Sequence, residues 1–288
     1  MTTVAIMGSG RIGGEVAFIC AARGLADRVV LYDINNPLLE AQALDLVHTG
    51  LDINISTDKE DIYDSDIAVL SAGIPRTPAV KTRADLINAN LPAAREFAEL
   101  ISGFDGIAIT VTNPADIINY LVCSISGVER FRCIGFGGQL DSARFSNVLS
   151  HRGIDEQGVV LGEHGEHQVP VFSTLGQEVG METREEILSV LRGASMPIIK
   201  GKGGTVFGPV WQISELIRAL AGDTRAIVPC SCVLEGEYGQ KDCSLCVPSV
   251  VGRDGIISIQ EWDLDRWEEL KINEAGKFLR SFTGIVQH

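Results

Sequence analysis

Short apolar runs and longer amphipathic runs alternate along the first half of the chain. The short apolar runs are typical of strands that are buried on both faces. They lie at residues 3–7, 28–32, 67–70, 106–111 and 133–135. Helical patterns with one apolar face follow the first two runs, and a further helix is expected after Pro114. Strands that alternate with helices predict an α/β fold, with a doubly wound parallel sheet that has helices on both faces.

The second half of the chain has a different order of elements. Helical patterns lie at residues 139–151, 181–199, 209–221 and 261–282, and strand patterns lie at 159–162, 226–235 and 243–251. This mixture predicts an α+β unit behind the parallel sheet. A chain of 288 residues is long enough for two domains. We therefore expect a first domain over residues 1–138 and a second domain over residues 139–288.

A glycine-rich turn joins the first predicted strand to the first predicted helix. Residues 8–13 read Gly-Ser-Gly-Arg-Ile-Gly, and the second strand ends in Asp33, 20 residues after Gly13. A G-x-G-x-x-G alone also occurs in ordinary turns between a strand and a helix, but this frame of strand, turn, helix, strand and carboxylate predicts a dinucleotide site. Gly8 would permit the tight turn, and Gly10 would let the backbone approach a pyrophosphate at the helix N-terminus. Gly13 would let the helix pack on the strand.

One histidine in the middle of the chain lies in a glycine-bounded loop, where residues 162–165 read Gly-Glu-His-Gly. The imidazole of His164 titrates near neutral pH and could exchange a proton with a ligand, although a lone loop histidine is often structural. The preceding helix carries Asp141 and Arg144, which are three residues apart and so share one helix face. The carboxylate could orient the imidazole and the guanidinium could bind an acid; the alternative is an ordinary salt bridge within the helix. His167 is expected at the surface.

These motifs together resemble the malate and lactate dehydrogenase family, and the resemblance covers nearly the whole chain. It is carried by the glycine-rich turn, by residues 140–144, which read Leu-Asp-Ser-Ala-Arg, and by the histidine loop. The resemblance implies a Rossmann-type nucleotide domain, the cofactor NAD, and reversible hydride transfer to and from a short 2-hydroxy acid. It implies that His164 is the proton-transferring base, that Asp141 fixes its tautomer, and that Arg144 binds the substrate C1 carboxylate. It also implies a homodimer or a homotetramer.

Residues 74–83 resemble the mobile loop that closes over substrate in this family, while the alternative is a solvated basic loop. The two loop arginines of the family match Arg76 and Arg83. The resemblance implies that Arg83 polarises the reacting carbonyl and that Arg76 meets the second carboxylate of malate or oxaloacetate. Lactate and pyruvate have a methyl group at that place, so Arg76 favours malate. Lys81 is the alternative cation for the same task.

The resemblance also implies contacts from residues at the carboxyl ends of the strands. Asn113 would bind substrate beside the nicotinamide, and it could also cap the helix that begins near Pro114. The expected cofactor contacts are Gly8, Gly10, Arg11, Ile12, Gly13, Asp33, Ala72, Gly73, Asn90, Val111 and Asn113. Asp33 would accept hydrogen bonds from the ribose hydroxyls and repel a 2′-phosphate, which predicts NAD rather than NADP.

The charge and the hydropathy of the chain disfavour nucleic acid and membranes as partners. The formal net charge is −14, so the surface repels nucleic acid and anionic membranes. No apolar run approaches the length of a membrane span, and the chain enters its first strand without a basic leader, so we expect a cytoplasmic protein. A dinucleotide-sensing protein without turnover is the alternative from another class, but it would not need Asp141, Arg144 and His164 together.

The seven cysteines are odd in number and scattered, which favours reduced thiols over a disulfide framework. Four of them, Cys230, Cys232, Cys243 and Cys246, have a spacing that could hold zinc. The first two alternate along an apolar strand, and the last two would face opposite sides of a second strand. We therefore expect buried thiols and no metal ion.

Overall fold

The structure is a computed structural model that describes residues 1–74 and 83–286. The first half consists of β1 (Thr3–Met7), α1 (Gly13–Ala22), β2 (Arg28–Tyr32), α2 (Asn36–His48), β3 (Asn54–Ser56), β4 (Ile67–Leu70), α3 (Arg83–Leu100), β5 (Ile107–Thr110), α4 (Ala115–Ser126) and β6 (Cys133–Gly135). The strands predicted from apolar runs are all present. β3 has no such run, because none of its residues is fully buried.

Parallel pairing joins these strands in the order β3-β2-β1-β4-β5-β6. β1 pairs with β2 on one side and with β4 on the other, so that Val4 lies between Val29 and Ile67. The strand order reverses at β1, and the carboxyl ends of β1 and β4 therefore border the crevice where such sheets bind ligands. The predicted α/β fold with a doubly wound parallel sheet is confirmed.

The second half continues this sheet with antiparallel strands. It consists of α5 (Gly138–His151), β7 (Val159–Gly162), β8 (Gln168–Val171), α6 (Met181–Gly193), α7 (Met196–Lys202), α8 (Phe207–Ala221), β9 (Ile227–Glu235), β10 (Lys241–Gly252), β11 (Gly255–Ile259), α9 (Arg266–Arg280) and α10 (Thr283–Val286). Across the junction, the backbone pairs Gly135–Ser231, Ser231–Cys246 and Cys246–Gly162 form one row. This row places Ser231 between β6 and the end of β7, which leads into the histidine loop.

Two predicted helices differ from the structure. The prediction of one helix over residues 181–199 is wrong, since α6 and α7 occupy this stretch. Pro197 lies in the first turn of α7, where proline is tolerated, whereas in a helix interior it would lack the N–H that bonds to the preceding turn. The last long helix begins at Arg266 rather than at residue 261, because the Asp265 carboxylate caps it by accepting from the N–H of Glu268 at 3.0 Å.

The four late cysteines are buried free thiols, as predicted. Burial raises the pKa of Cys230 to about 12 and that of Cys243 to about 11, so both thiols are protonated near neutral pH. Within residues 1–74 and 83–286, no group of three or more His, Cys, Asp or Glu side chains could hold a metal ion. In the same part of the chain, no helix combines the length and the apolar character that a membrane span requires.

Candidate active site

The glycine-rich turn between β1 and α1 has the close packing that its motif predicts. Gly8 has a φ of +98°, and a Cβ there would lie 2.2 Å from the backbone nitrogen of Ala72. A Cβ at Gly13 would lie 1.9 Å from the carbonyl oxygen of Gly8. A Cβ at Gly10, by contrast, would have no heavy atom within 4 Å. The turn is therefore closed where the strand and helix meet and open at Gly10, where a phosphate could approach the N-terminus of α1.

Asp33 follows β2 and lies beside this turn. Its Oδ2 accepts a hydrogen bond of 2.9 Å from the backbone N–H of Ser9, and its Oδ1 accepts one of 2.9 Å from the N–H of Asn35. These bonds hold the carboxylate at the edge of the turn while the side chain stays half-exposed. A carboxylate in this place can accept hydrogen bonds from the hydroxyls of a bound ribose.

Arg11 and Ile12 complete the turn. Arg11 is exposed, and its Nη1 donates to the carbonyl oxygen of Lys202, the last residue of α7, at 3.3 Å. It therefore links the turn to the second half of the chain. Ile12 occupies the N-cap position of α1, and its apolar side chain offers no acceptor to the N–H groups of the first helical turn. These N–H groups suit an anionic ligand.

Asn90 of α3 ties together the loops that follow β4 and β5. Its side chain is 1% exposed. The Oδ1 accepts from the backbone N–H of Ile74 at 2.6 Å, and the Nδ2 donates to the carbonyl oxygen of Asn113 at 2.7 Å. A Cβ at Gly73 would lie 2.7 Å from Cγ2 of Thr112, so these loops are closely packed. Asn90 thus uses its amide to hold two loops at the crevice.

Asn113 is exposed at the carboxyl end of the β5 region, immediately before α4. Pro114 occupies the N-cap position of α4, so the prediction that Asn113 caps this helix is wrong. Ala72 and Val111 are half-buried in the loops on either side. The exposed amide of Asn113 can therefore contact a ligand in the crevice.

His164, Asp141 and Arg144 lie together, as predicted. The Nδ1 of His164 is 2.6 Å from Oδ2 of Asp141, whose side chain is 2% exposed. Nη1 of Arg144 donates to Oδ1 of the same carboxylate at 3.0 Å. A Cβ at Gly137 would lie 2.5 Å from Cγ of His164, so the glycine before α5 lets the imidazole pack against the backbone. The carboxylate fixes the ring, and the other N–H groups of the guanidinium remain for an acidic ligand.

The surroundings of His164 raise its pKa above the ordinary value. Burial by itself lowers this pKa, but the charge of Asp141 and its hydrogen bond outweigh the effect of burial. The charge of Asp116 raises the pKa further, and that of Arg144 lowers it. The imidazolium form is therefore stabilised, which suits a group that takes a proton from a hydroxyl.

Asp116 is a buried residue of this site that the sequence patterns do not single out. It accepts hydrogen bonds from the backbone N–H of His164 and from the hydroxyl of Ser231. An acidic residue in the first turn of a helix is normally explained by the helix dipole, so its sequence position carries no signal of this contact. Only the tertiary structure brings α4 to the histidine loop.

His167, which was expected at the surface, is partly exposed and also packs against a helix. Its ring stacks on Phe278 with centroids 4.2 Å apart, and its backbone N–H donates to Oε2 of Glu163 at 2.9 Å. Its side chain is only half-exposed. The ring packs on α9, whereas the ring of His164 packs on α5.

The roles predicted for Arg76 and Arg83 stay predictions. Arg76 and Lys81 lie outside the described residues. α3 begins at Arg83, whose side chain is likewise outside the description. Ile74 is the last described residue before them, and its backbone N–H donates to Oδ1 of Asn90.

The fold and the site define a dinucleotide-binding protein with a histidine–carboxylate pair and an arginine beside it. A family model described as lactate/malate dehydrogenase, NAD binding domain, matches residues 2–135. A second model, lactate/malate dehydrogenase, alpha/beta C-terminal domain, matches residues 138–284. The chain belongs to the lactate/malate dehydrogenase family, and its cofactor is NAD.

Similar proteins include enzymes of both names. A malate dehydrogenase from Natronomonas pharaonis is 37% identical over an alignment of 297 positions that covers 97% of each chain. An L-lactate dehydrogenase 2 from Bacillus cereus is 33% identical over an alignment of 302 positions that covers 96% of each chain. The structure of malate dehydrogenase from Archaeoglobus fulgidus in complex with NADH superposes with a TM-score of 0.90 at 30% identity and covers 100% of both chains. The family is thus established, while the choice of substrate depends on individual residues.

Proposed function

We propose that this protein is an NAD-dependent malate dehydrogenase, which transfers a hydride reversibly between malate and NAD to give oxaloacetate and NADH. The observation that carries the proposal is the 2.6 Å contact between His164 and Asp141, with Arg144 bound to the same carboxylate. This set supplies a base, a group that orients it and a cation for the substrate acid. Residues 1–138 would form the nucleotide domain and residues 139–288 the substrate domain.

The residues of the glycine-rich turn fit the cofactor. The backbone is open at Gly10, and the side chain of Ile12 offers no acceptor to the first N–H groups of α1. These groups would hold the pyrophosphate, and Asp33 would accept from the ribose hydroxyls. NAD, when bound, accepts the hydride that leaves the substrate carbon. Arg11 lies within the turn and would meet the same phosphates.

The site residues divide the remaining work. In the oxidative direction the neutral imidazole of His164 takes the hydroxyl proton at Nε2, and in the reverse direction the imidazolium returns it. Asp141 holds the Nδ1 proton and so keeps Nε2 free to accept. Arg144 would bind the C1 carboxylate through two parallel hydrogen bonds, and Asn113 would bind the reacting oxygen or a neighbouring group. Arg83 would polarise the carbonyl of oxaloacetate.

Arg76 supports malate as the substrate. Malate and oxaloacetate carry a second carboxylate, which a cation in a closed loop can neutralise. With lactate or pyruvate the same cation would stay unpaired in a dry site, at a cost on the order of several kcal/mol. The 37% identical relative is called a malate dehydrogenase, which agrees with this reasoning. A lactate dehydrogenase is the second candidate, since a relative of that name is 33% identical.

The alternative from another class is a protein that senses NADH without turning over a substrate. The two are distinguished by following the absorbance of NADH after adding a panel of 2-oxo acids. We expect rapid oxidation of NADH with oxaloacetate. Tight binding of NADH with no oxidation by any acid of the panel would favour the sensor.

Asp33→Ser tests the choice of cofactor. We expect the natural protein to prefer NADH to NADPH, because the Asp33 carboxylate repels a 2′-phosphate. Serine removes the charge and keeps a polar group, so the ratio of kcat/KM with NADH to kcat/KM with NADPH should fall. The measurement is kcat/KM with each cofactor at saturating oxaloacetate. Equal efficiency of the unmodified protein with both cofactors would refute the role of Asp33.

A further inference from the structure

A second buried carboxylate, which belongs to the first half of the chain, holds the histidine loop. Asp116 lies in the first turn of α4 and is 2% exposed. Its Oδ2 accepts a hydrogen bond of 2.8 Å from the backbone N–H of His164, and its Oδ1 accepts one of 2.5 Å from Oγ of Ser231. One side chain of the first half is therefore bonded to the loop after β7 and to β9, both in the second half.

The chemistry of these bonds requires an acceptor. The backbone N–H of His164 can only donate, and the Ser231 hydroxyl donates in this geometry. An ionised carboxylate accepts at both oxygens, whereas the amide of asparagine has only one oxygen and would direct its NH₂ towards one of the two partners. Burying a carboxylate has a free-energy cost that a neutral residue would avoid. A buried carboxylate that binds both of these donors is therefore suited to holding them in place.

The same helix start also carries a predicted substrate contact. Asp116 comes three residues after Asn113, whose carbonyl oxygen is held by Nδ2 of Asn90 at 2.7 Å. The segment 113–116 is therefore bonded to α3 at one end and to the histidine loop at the other. Its position sets the distance between the exposed amide of Asn113 and the imidazole of His164.

We propose that Asp116 is a positioning residue, which holds the backbone of His164 so that the imidazole meets a substrate bound by Asn113 and Arg144. This inference rests on the proposed function, since it concerns the proton transfer by His164. Asp116 acts through His164 and touches neither substrate nor cofactor in this scheme. It also couples the nucleotide half of the chain to the base, because α4 and the histidine loop belong to different halves.

The charge of Asp116 acts on the pKa of His164, and a purely structural role would not have this effect. Among the described residues, the charges of Asp141 and Arg144 from α5 also act on the pKa of His164, and the charge of Asp116 also raises the pKa of the Cys243 and Cys246 thiols of β10. Burial lowers the pKa of His164, Asp141 raises it, and Asp116 adds to the rise. Asp116→Asn should therefore lower the pKa of His164.

The direction of the expected change follows from the protonation state that each reaction needs. Malate oxidation needs neutral imidazole, so its rate rises with pH through the pKa of His164. Oxaloacetate reduction needs imidazolium, so its rate falls with pH through the same pKa. A lower pKa of His164 moves both pH limbs, which are the rise of the oxidation rate and the fall of the reduction rate, to lower pH.

The test compares Asp116→Asn with Glu268→Gln. Glu268 is a matched control, because it is also fully buried and accepts from the backbone N–H of Phe172 at 2.6 Å and from Oγ of Ser173 at 2.6 Å. We expect Asp116→Asn to lower kcat about 10- to 100-fold, the scale of a misplaced reacting group. Both pH limbs should move down, while the Kd for NADH changes less than about twofold because the glycine-rich turn is untouched. Glu268→Gln should lower Tm and leave kcat and both limbs unchanged.

Three outcomes separate the possible failures. If Asp116→Asn keeps the kcat and pH limbs of the natural protein, or if it matches Glu268→Gln, Asp116 is merely structural and the inference is overturned. If Asp116→Asn does not fold, Ser231→Ala replaces it, since this variant keeps the bond to His164 and removes one anchor. A lowered kcat with unchanged NADH binding would then support the inference, and an unchanged kcat would overturn it. Absence of turnover in the natural protein would instead defeat the proposed function.

Discussion

Replacing His164 by asparagine should lower turnover about 10²–10⁴-fold, the usual contribution of general acid–base catalysis. Asparagine keeps a polar side chain of similar reach but cannot take a proton from a hydroxyl near neutral pH. NADH binding should remain nearly intact, because the predicted cofactor contacts at the open turn of Gly10 and at the Asp33 carboxylate do not involve His164. The measurements are kcat with oxaloacetate and a fluorescence titration with NADH.

His167→Asn provides the matched control for this substitution. His167 is three residues away, but its ring stacks on Phe278 rather than facing Asp141. We expect this variant to keep most of its turnover and to lose some thermal stability through the lost ring contact. If His164→Asn retained more than about a third of the natural turnover, acid–base catalysis by His164 would be excluded.

Arg76→Gln should lose most of the activity with oxaloacetate and gain some with pyruvate. Glutamine cannot neutralise the second carboxylate of oxaloacetate, and it removes the unpaired cation that a methyl group would leave in the closed site. The loss should reach about a hundredfold in kcat/KM, the scale of one lost hydrogen bond between charged groups. The measurement is kcat/KM of the variant and the natural protein with both acids.

Lys81→Ala is the companion variant, because Lys81 is the alternative cation that the sequence offers for the second carboxylate. It should leave the preference for oxaloacetate in place. If Lys81→Ala damaged turnover of oxaloacetate while Arg76→Gln left it unchanged, the substrate contact would belong to Lys81. The enzyme could then still be a malate dehydrogenase with a different loop residue in this role.

The nucleotide half was predictable because its signals are local. The strands at β1, β2, β4, β5 and β6 are short apolar runs, and the register of Gly8, Gly10, Gly13 and Asp33 depends on one strand–turn–helix unit. Steric demand at the turn ties Gly8 and Gly13 to their places, since added Cβ atoms there would overlap backbone. Asp141 and Arg144 were predictable for the same reason, because their spacing on one helix decides which face they share.

The parts that sequence reasoning missed depend on contacts between distant segments. Asp116 and Ser231 are 115 residues apart and meet only because β9 inserts beside β6. Gly137 is needed because the ring of His164 packs on it, which no local pattern shows. Within the helix predicted over residues 181–199, Pro197 was a local signal for a break that apolar periodicity obscured.

The measurement that tests the central claim most directly is kcat/KM of the natural protein for oxaloacetate and for pyruvate at saturating NADH. We expect oxaloacetate to be preferred by at least about a hundredfold, because only oxaloacetate supplies a second carboxylate for Arg76. A pyruvate value equal to or above that of oxaloacetate would contradict malate dehydrogenase activity and make the protein a lactate dehydrogenase.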